Sequence, residues 1–128
     1  MQAPADVPSK LLLVVDDDDD IREVAATALE LVDGFRIVTA TGGSAAVERA
    51  QEQGPDAILL DVMMPGISGL ETVARLKAAE KTSHIPVILL TARVDDDTPD
   101  PGIAGVIAKP FDPMRLGGEV RRLLGWPS

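Results

Sequence analysis

Short runs of consecutive aliphatic residues alternate along this chain with longer stretches in which apolar positions return every three or four residues. LLLVV (11 to 15) is too short for a helix and carries no polar position, the pattern of a strand buried on both faces. From Asp20 to Asp33 the residues Ile21, Val24, Ala28, Leu31 and Val32 recur at helical spacing, with Asp18 or Asp19 placed to cap the first turn and Gly34 to end the last. FRIVTA (35 to 40) reads as a second strand, and Ser44 to Gln53 as an Ala- and Glu-rich helix closed by Gly54-Pro55. AILL (57 to 60) is a third strand that stops at Asp61. After the loop chemistry of MPGISG (64 to 69), Leu70 to Ala79 predicts a helix with Leu70, Val73, Ala74 and Leu76 on one side. PVILL (86 to 90) is a fourth strand ended by Thr91, and VIA (106 to 108) a short fifth ended by Lys109. Asp112 to Leu124 opens on Asp112-Pro113 and carries Leu116, Val120, Leu123 and Leu124, so a helix closes the chain despite Gly117-Gly118.

Strands alternating with helices predict right-handed βαβ units, a parallel sheet and helices on both of its faces. A length of 128 residues suits one domain, and no repeat or linker divides it. Residues 1 to 9 are expected to form a disordered lead-in, 10 to 125 the domain, and 126 to 128 a tail. With one Trp, two Phe and no Tyr, the core must be aliphatic. The net charge of −9 argues against nucleic acid or an anionic membrane as a partner of this surface. No apolar run reaches the roughly 18 residues of a spanning helix, and MQAPADVPSK lacks the order of a signal peptide. A cytoplasmic setting is the expectation, and the absence of cysteine fits it.

In a parallel sheet, ligands bind beyond the carboxyl ends of the strands. Here those ends carry Asp16 and Asp17, Asp61, Thr91 and Lys109, which would converge on one rim. Carboxylates without His or Cys select a hard cation, Mg²⁺ or Mn²⁺, over zinc. Beside such an ion one carboxylate can attack phosphorus, while an ammonium and a hydroxyl receive the phosphoryl oxygens. The five acids from Asp16 to Asp20 thus divide, the first holding a metal and the later ones beginning a helix. A calcium loop of EF-hand type fails, because starting it at Asp16 puts Ile21 where glycine is needed and Thr27 where the bidentate acid belongs. His84, the sole histidine, reads as a surface residue, Met63 and Met64 as loop anchors, and Asp95, Asp96, Asp97 and Asp100 as solvated loop charges.

VVDD (14 to 17), LLDVMMPGISG (59 to 69), PVILLTA (86 to 92) and AKPF (108 to 111) together resemble the receiver domain of two-component response regulators, over residues 10 to 125. The resemblance implies a doubly wound α/β, flavodoxin-like three-layer sandwich with a five-stranded parallel sheet. It implies that Asp61 accepts a phosphoryl group from a histidine kinase or phosphotransfer protein in a Mg²⁺-dependent transfer. By the same resemblance Asp17 is a direct metal ligand, Asp16 acts mainly through water, and Asp61 and the Met63 carbonyl complete the protein ligands. Thr91 becomes the switch hydroxyl, Lys109 the phosphate-pairing cation, and Lys109-Pro110 a cis peptide. Such a domain modifies itself and is not an enzyme with a separate substrate.

Departures from the family pattern shape the remaining expectations. RVDDDTPDPGIAGVIA (93 to 108) is short for the usual fourth helix and carries prolines at 99 and 101, so that helix is expected to be missing or reduced to about one turn. Val106 stands where the family usually has an aromatic whose rotamer follows the threonine. The chain also offers no output domain after its last helix, which suggests a stand-alone receiver acting through a protein partner. Two rivals remain: a module of this fold that signals without phosphorylation, and a haloacid-dehalogenase-type phosphatase using Asp16 and Asp18. The family's kinase contacts would map to Ile21, Val24 and Ala25 beside Pro110 and Phe111.

Overall fold

The computed structural model describes residues 9–92 and 102–127. Five strands, β1 (Leu11–Val15), β2 (Arg36–Ala40), β3 (Ala57–Asp61), β4 (Val87–Thr91) and β5 (Ile103–Ala108), form one sheet in the order β2-β1-β3-β4-β5. Every pairing is parallel. Among the described residues there are four helices, α1 (Asp19–Asp33), α2 (Gly43–Gln53), α3 (Gly69–Ala78) and α4 (Pro113–Leu124). This is the doubly wound, flavodoxin-like arrangement, with its switch point between β1 and β3. Residues 93–101, on which the expectation about the fourth helix bears, lie outside the described residues, as do residues 1–8.

Alternation along each strand builds the three layers. Leu12, Val14, Ala57, Leu59, Ile88, Leu90 and Ile107 face α1 and α4, where they meet Ala25, Leu29, Leu116 and Val120. Leu13, Val15, Ile58, Leu60, Val87 and Leu89 face α2 and α3, meeting Ala46, Ala50, Val73 and Leu76. Aliphatic rows on both sides of every central strand are what a sheet covered on both faces requires.

Helix starts follow their caps. Asp18 accepts from the N–H of Asp20 and of Ile21 at 2.9 and 3.1 Å, so Asp18 rather than Asp19 begins α1. Ser68 accepts from Glu71 N at the start of α3, and Asp112 from Met114 N at the start of α4, with Pro113 in the first turn. The N-cap of α2 is Gly42, without a side-chain bond, and the helix begins at Gly43, one residue before the expected Ser44.

Several expectations need correction. Val24, Leu31 and Val32 are 46%, 77% and 44% exposed, and the buried stripe of α1 is instead Ala25, Ala28 and Leu29. Short alanine side chains let the helix backbone approach the sheet, and the larger residues are turned outward. In α3, Leu70 and Ala74 are exposed while Thr72, Val73 and Leu76 are buried. Thr72 fits the interior because its hydroxyl donates to the Ser68 carbonyl at 2.8 Å. β5 begins at Ile103, three residues before the apolar run suggested, and its pairing with β4 skips Ala104 between the Val87 and Ile88 positions. Trp126, expected in the tail, packs against Phe35 with ring centroids 6.1 Å apart.

Candidate functional site

Asp16 continues the row of Leu12 and Val14, Asp61 that of Ala57 and Leu59, and Lys109 that of Ile107. The period of two therefore places all three beyond the strand ends on the α1/α4 side of the sheet. Asp16 is 1% and Asp61 5% exposed. The Lys109 Nζ donates to Asp16 Oδ2 at 2.8 Å and lies 3.2 Å from Asp61 Oδ1. Residues 93 positions apart are thereby joined. The Lys109-Pro110 peptide is cis, as the family resemblance implied.

Each carboxylate has its own surroundings. Asp16 Oδ1 accepts from Asp18 N at 2.9 Å, so both of its oxygens are engaged. Asp61 Oδ1 also accepts from Met63 N at 3.3 Å, where the chain leaves β3. Gly69 lets α3 return close to that turn, since a Cβ there would lie 2.6 Å from the Asp61 carbonyl oxygen. Asp17 is exposed. One oxygen from each of Asp16, Asp17 and Asp61 falls in a group spanning no more than 4.8 Å. An all-oxygen set of this size fits a small hard cation of the Mg²⁺ type.

Burial raises the pKa of Asp61, and the charge of Asp16 adds to the rise, with Lys109 and the Met63 N–H opposing it. For Lys109 burial disfavours the ammonium, but its hydrogen bonds to Asp16 and Asp61 and their charges outweigh that, so its pKa is raised as well. The ammonium thus acts as the resident counter-charge between two crowded carboxylates.

Thr91 belongs to the other row, after Val87 and Leu89, and is 8% exposed. Its main chain reaches the site, its carbonyl accepting from Lys109 N at 2.8 Å. Val106 pairs opposite Leu89 and Ala108 opposite Thr91, and Val106 is 38% exposed. Met63, expected to anchor its loop, is 74% exposed, whereas Met64 packs on the α2/α3 core. His84 is exposed. Ala25 is 1% exposed and cannot belong to the expected docking strip.

Arg22, which no motif in the sequence singles out, also borders the rim. Its Nη1 donates to the Asp16 carbonyl at 2.8 Å and its Nη2 to Asp19 Oδ1 at 2.5 Å. The i,i+3 spacing of Asp19 and Arg22 was the available sign.

With fold and rim in view, the class follows: residues 12–121 match the response regulator receiver domain family, and the chain belongs to it. Among its relatives are the phosphate regulon transcriptional regulatory protein PhoB of Pseudomonas aeruginosa, 40% identical over 119 residues (90% of this chain, 52% of that protein), and the protein of the same name from Escherichia coli, 37% identical over 120 residues (91% and 52%). The chain spans about half the length of these curated relatives. Among solved structures, the chemotaxis response regulator CheY4 of Vibrio cholerae superimposes with a TM-score of 0.80 at 28% identity, covering 91% of this chain and 99% of that one. Among the described residues no helix is long and apolar enough to cross a membrane.

Proposed function

We propose that this domain is a phosphoryl-accepting switch in which Asp61 takes a phosphoryl group from a phosphohistidine on a histidine kinase or phosphotransfer protein. The observation that carries the reading is the convergence of Asp16, Asp61 and Lys109 at one rim. The two donors on Asp61 described above both reach Oδ1, which makes Oδ2 the attacking atom. As the new O–P bond forms, the P–N bond breaks and its electron pair returns to the imidazole. Lys109, released in part from Asp61, is placed to pair with a phosphoryl oxygen, and Thr91 is the hydroxyl assigned to another.

Asp17 and Asp61 are the side chains assigned to Mg²⁺ or Mn²⁺, with the Met63 carbonyl as a further ligand. Asp16 contributes through water, because its two oxygens already hold Lys109 and the Asp18 N–H. When bound, such an ion neutralises charge on the transferred group. Hydrolysis of the acyl phosphate resets the switch, so the domain has self-modifying chemistry only. A cytoplasmic setting and output through a protein partner complete the reading. Its surface charge disfavours direct contact with nucleic acid or an anionic membrane.

The phosphatase rival fares poorly, because Asp16 would be its nucleophile and is buried beneath Lys109. Signalling without phosphorylation keeps one supporting observation, the half-exposed Val106 on the strand that would couple to output. Intact-mass measurement after incubation with Mg²⁺ and acetyl phosphate separates these readings. One added phosphoryl group, lost in Asp61→Asn, supports the switch; a chain that stays unmodified rejects it.

A further inference from the structure

Asp17 is the exposed member of the convergent carboxylate group, and among the described residues no hydrogen bond or ion pair holds its side chain. Its placement beside Asp61 is therefore set by the main chain on either side of it. After it, Asp18 is fixed twice, its N–H donating to Asp16 Oδ1 at 2.9 Å and its side chain capping α1. Before it, the Asp16 N–H donates to the Ala40 carbonyl at 3.3 Å, and the Asp16 carbonyl accepts from Arg22 Nη1 at 2.8 Å. Among the described residues no main-chain N–H reaches that carbonyl, so Arg22 is what holds it.

The geometry points to Arg22 as a positioning residue that presents Asp17 to the cation. The inference rests on the metal reading given above and assigns Arg22 no contact with the ion itself. A peptide unit is planar, so the Asp16 carbonyl oxygen shares one plane with the nitrogen and Cα of Asp17. Fixing that oxygen fixes the rotation of the plane, and with it the direction in which Asp17 leaves the strand. The donor is well anchored, since Arg22 lies in the first turn of α1, its side chain is 17% exposed and its Nη2 is taken up by Asp19 Oδ1. A charged donor on a part-buried carbonyl makes one of the stronger hydrogen bonds. Mg²⁺ demands a near-ideal octahedron, so a carboxylate free to swing binds it less well.

Charge and position act with opposite signs here, which makes the assignment testable. Arg22→Met takes a positive charge away from the rim, and by attraction alone that tightens Mg²⁺ binding. Loss of positioning weakens it. Titration calorimetry of Mg²⁺ into the whole chain should show the dissociation constant raised roughly tenfold in Arg22→Met. Arg22→Lys, which keeps one donor for the Asp16 carbonyl, should recover most of that loss. The Mg²⁺ concentration giving half-maximal phosphorylation by acetyl phosphate should rise with the dissociation constant, with a smaller change in the rate at saturating Mg²⁺. Urea unfolding in EDTA checks that each variant folds, and Arg22→Gln, whose amide stops well short of the guanidinium nitrogens, replaces the methionine variant if that one does not. Binding as tight as wild type or tighter in the variant without the donor overturns the assignment while leaving the metal site standing. Failure of the wild-type chain to bind Mg²⁺ overturns the metal reading and this inference with it.

Discussion

Asp33, in the last turn of α1, pairs with Arg121 of α4 at 2.6 Å, and its side chain is only 8% exposed. The second carboxylate oxygen, Oδ2, is buried without a hydrogen-bond partner among the described residues and lies against Gly117, where a Cβ would come within 1.9 Å of it. Gly118, one residue on, has open space around it. The two glycines should therefore respond oppositely to alanine. Gly118→Ala should stabilise by about 0.5–1 kcal/mol through helix propensity. Gly117→Ala should destabilise by about 1–3 kcal/mol through overpacking. Urea unfolding of the two variants checks the contrast, and equal responses would mean that Asp33 does not sit where α4 meets α1.

Lys109 offsets two buried carboxylates, so its removal should be felt in stability as well as signalling. Lys109→Met should cost about 3 kcal/mol without metal, because uncompensated charges are left behind. Added Mg²⁺ should recover part of that loss. Denaturant midpoints with and without the ion measure both effects, and a variant as stable as wild type in EDTA would contradict the pairing.

The raised pKa of Asp61 has a definite sign in folding. Below the ordinary aspartate value both folded and unfolded chains hold the proton, and the site costs nothing. As pH rises through the raised folded value, ionisation is harder in the folded chain and stability is lost. Asp61→Asn escapes that loss, so in EDTA its advantage over wild type should appear above the ordinary value and grow through this window. Lys109 behaves in the opposite sense: its contribution persists through neutral pH and disappears only as alkali passes its raised folded value. Unfolding curves across the pH range test the pair, and a pH-independent advantage of Asp61→Asn would exclude the crowding described here.

On α1 the contrast between neighbours is equally sharp. Leu31 is 77% exposed and Leu29 is 0% exposed. Leu31→Lys should change stability by no more than about 0.5 kcal/mol, whereas Leu29→Ala should lose about 2–5 kcal/mol. Thermal melts distinguish them, and a large loss at Leu31 would point to a hidden contact on that face.

The strands were legible because continuous aliphatic runs ended abruptly at acids, and the same endings located Asp16, Asp61 and Lys109. Period-two alternation also puts Thr91 in the other row of its strand, after Leu89 rather than Leu90. The α1 stripe misled because apolar residues occur around most of that helix, and only packing against Leu12, Val14 and Phe35 selects among them. Ala25 and Leu29 are the α1 residues in that cluster, one small and one large, so side-chain size alone does not mark the buried side. Arg22 escaped notice for another reason: its main partner is a carbonyl, which no residue pattern displays.

Trp126 is the chain's single indole. It rests on Phe35 with Lys10 5.1 Å from the centre of its ring, beside the beginnings of β1 and β2, whereas Asp61 and Lys109 stand where β3 and β5 finish. A change in its emission on phosphorylation would have to be relayed through the full depth of the domain. The chain thus contains its own optical probe of long-range response, placed at the opposite end of the sheet from Asp61.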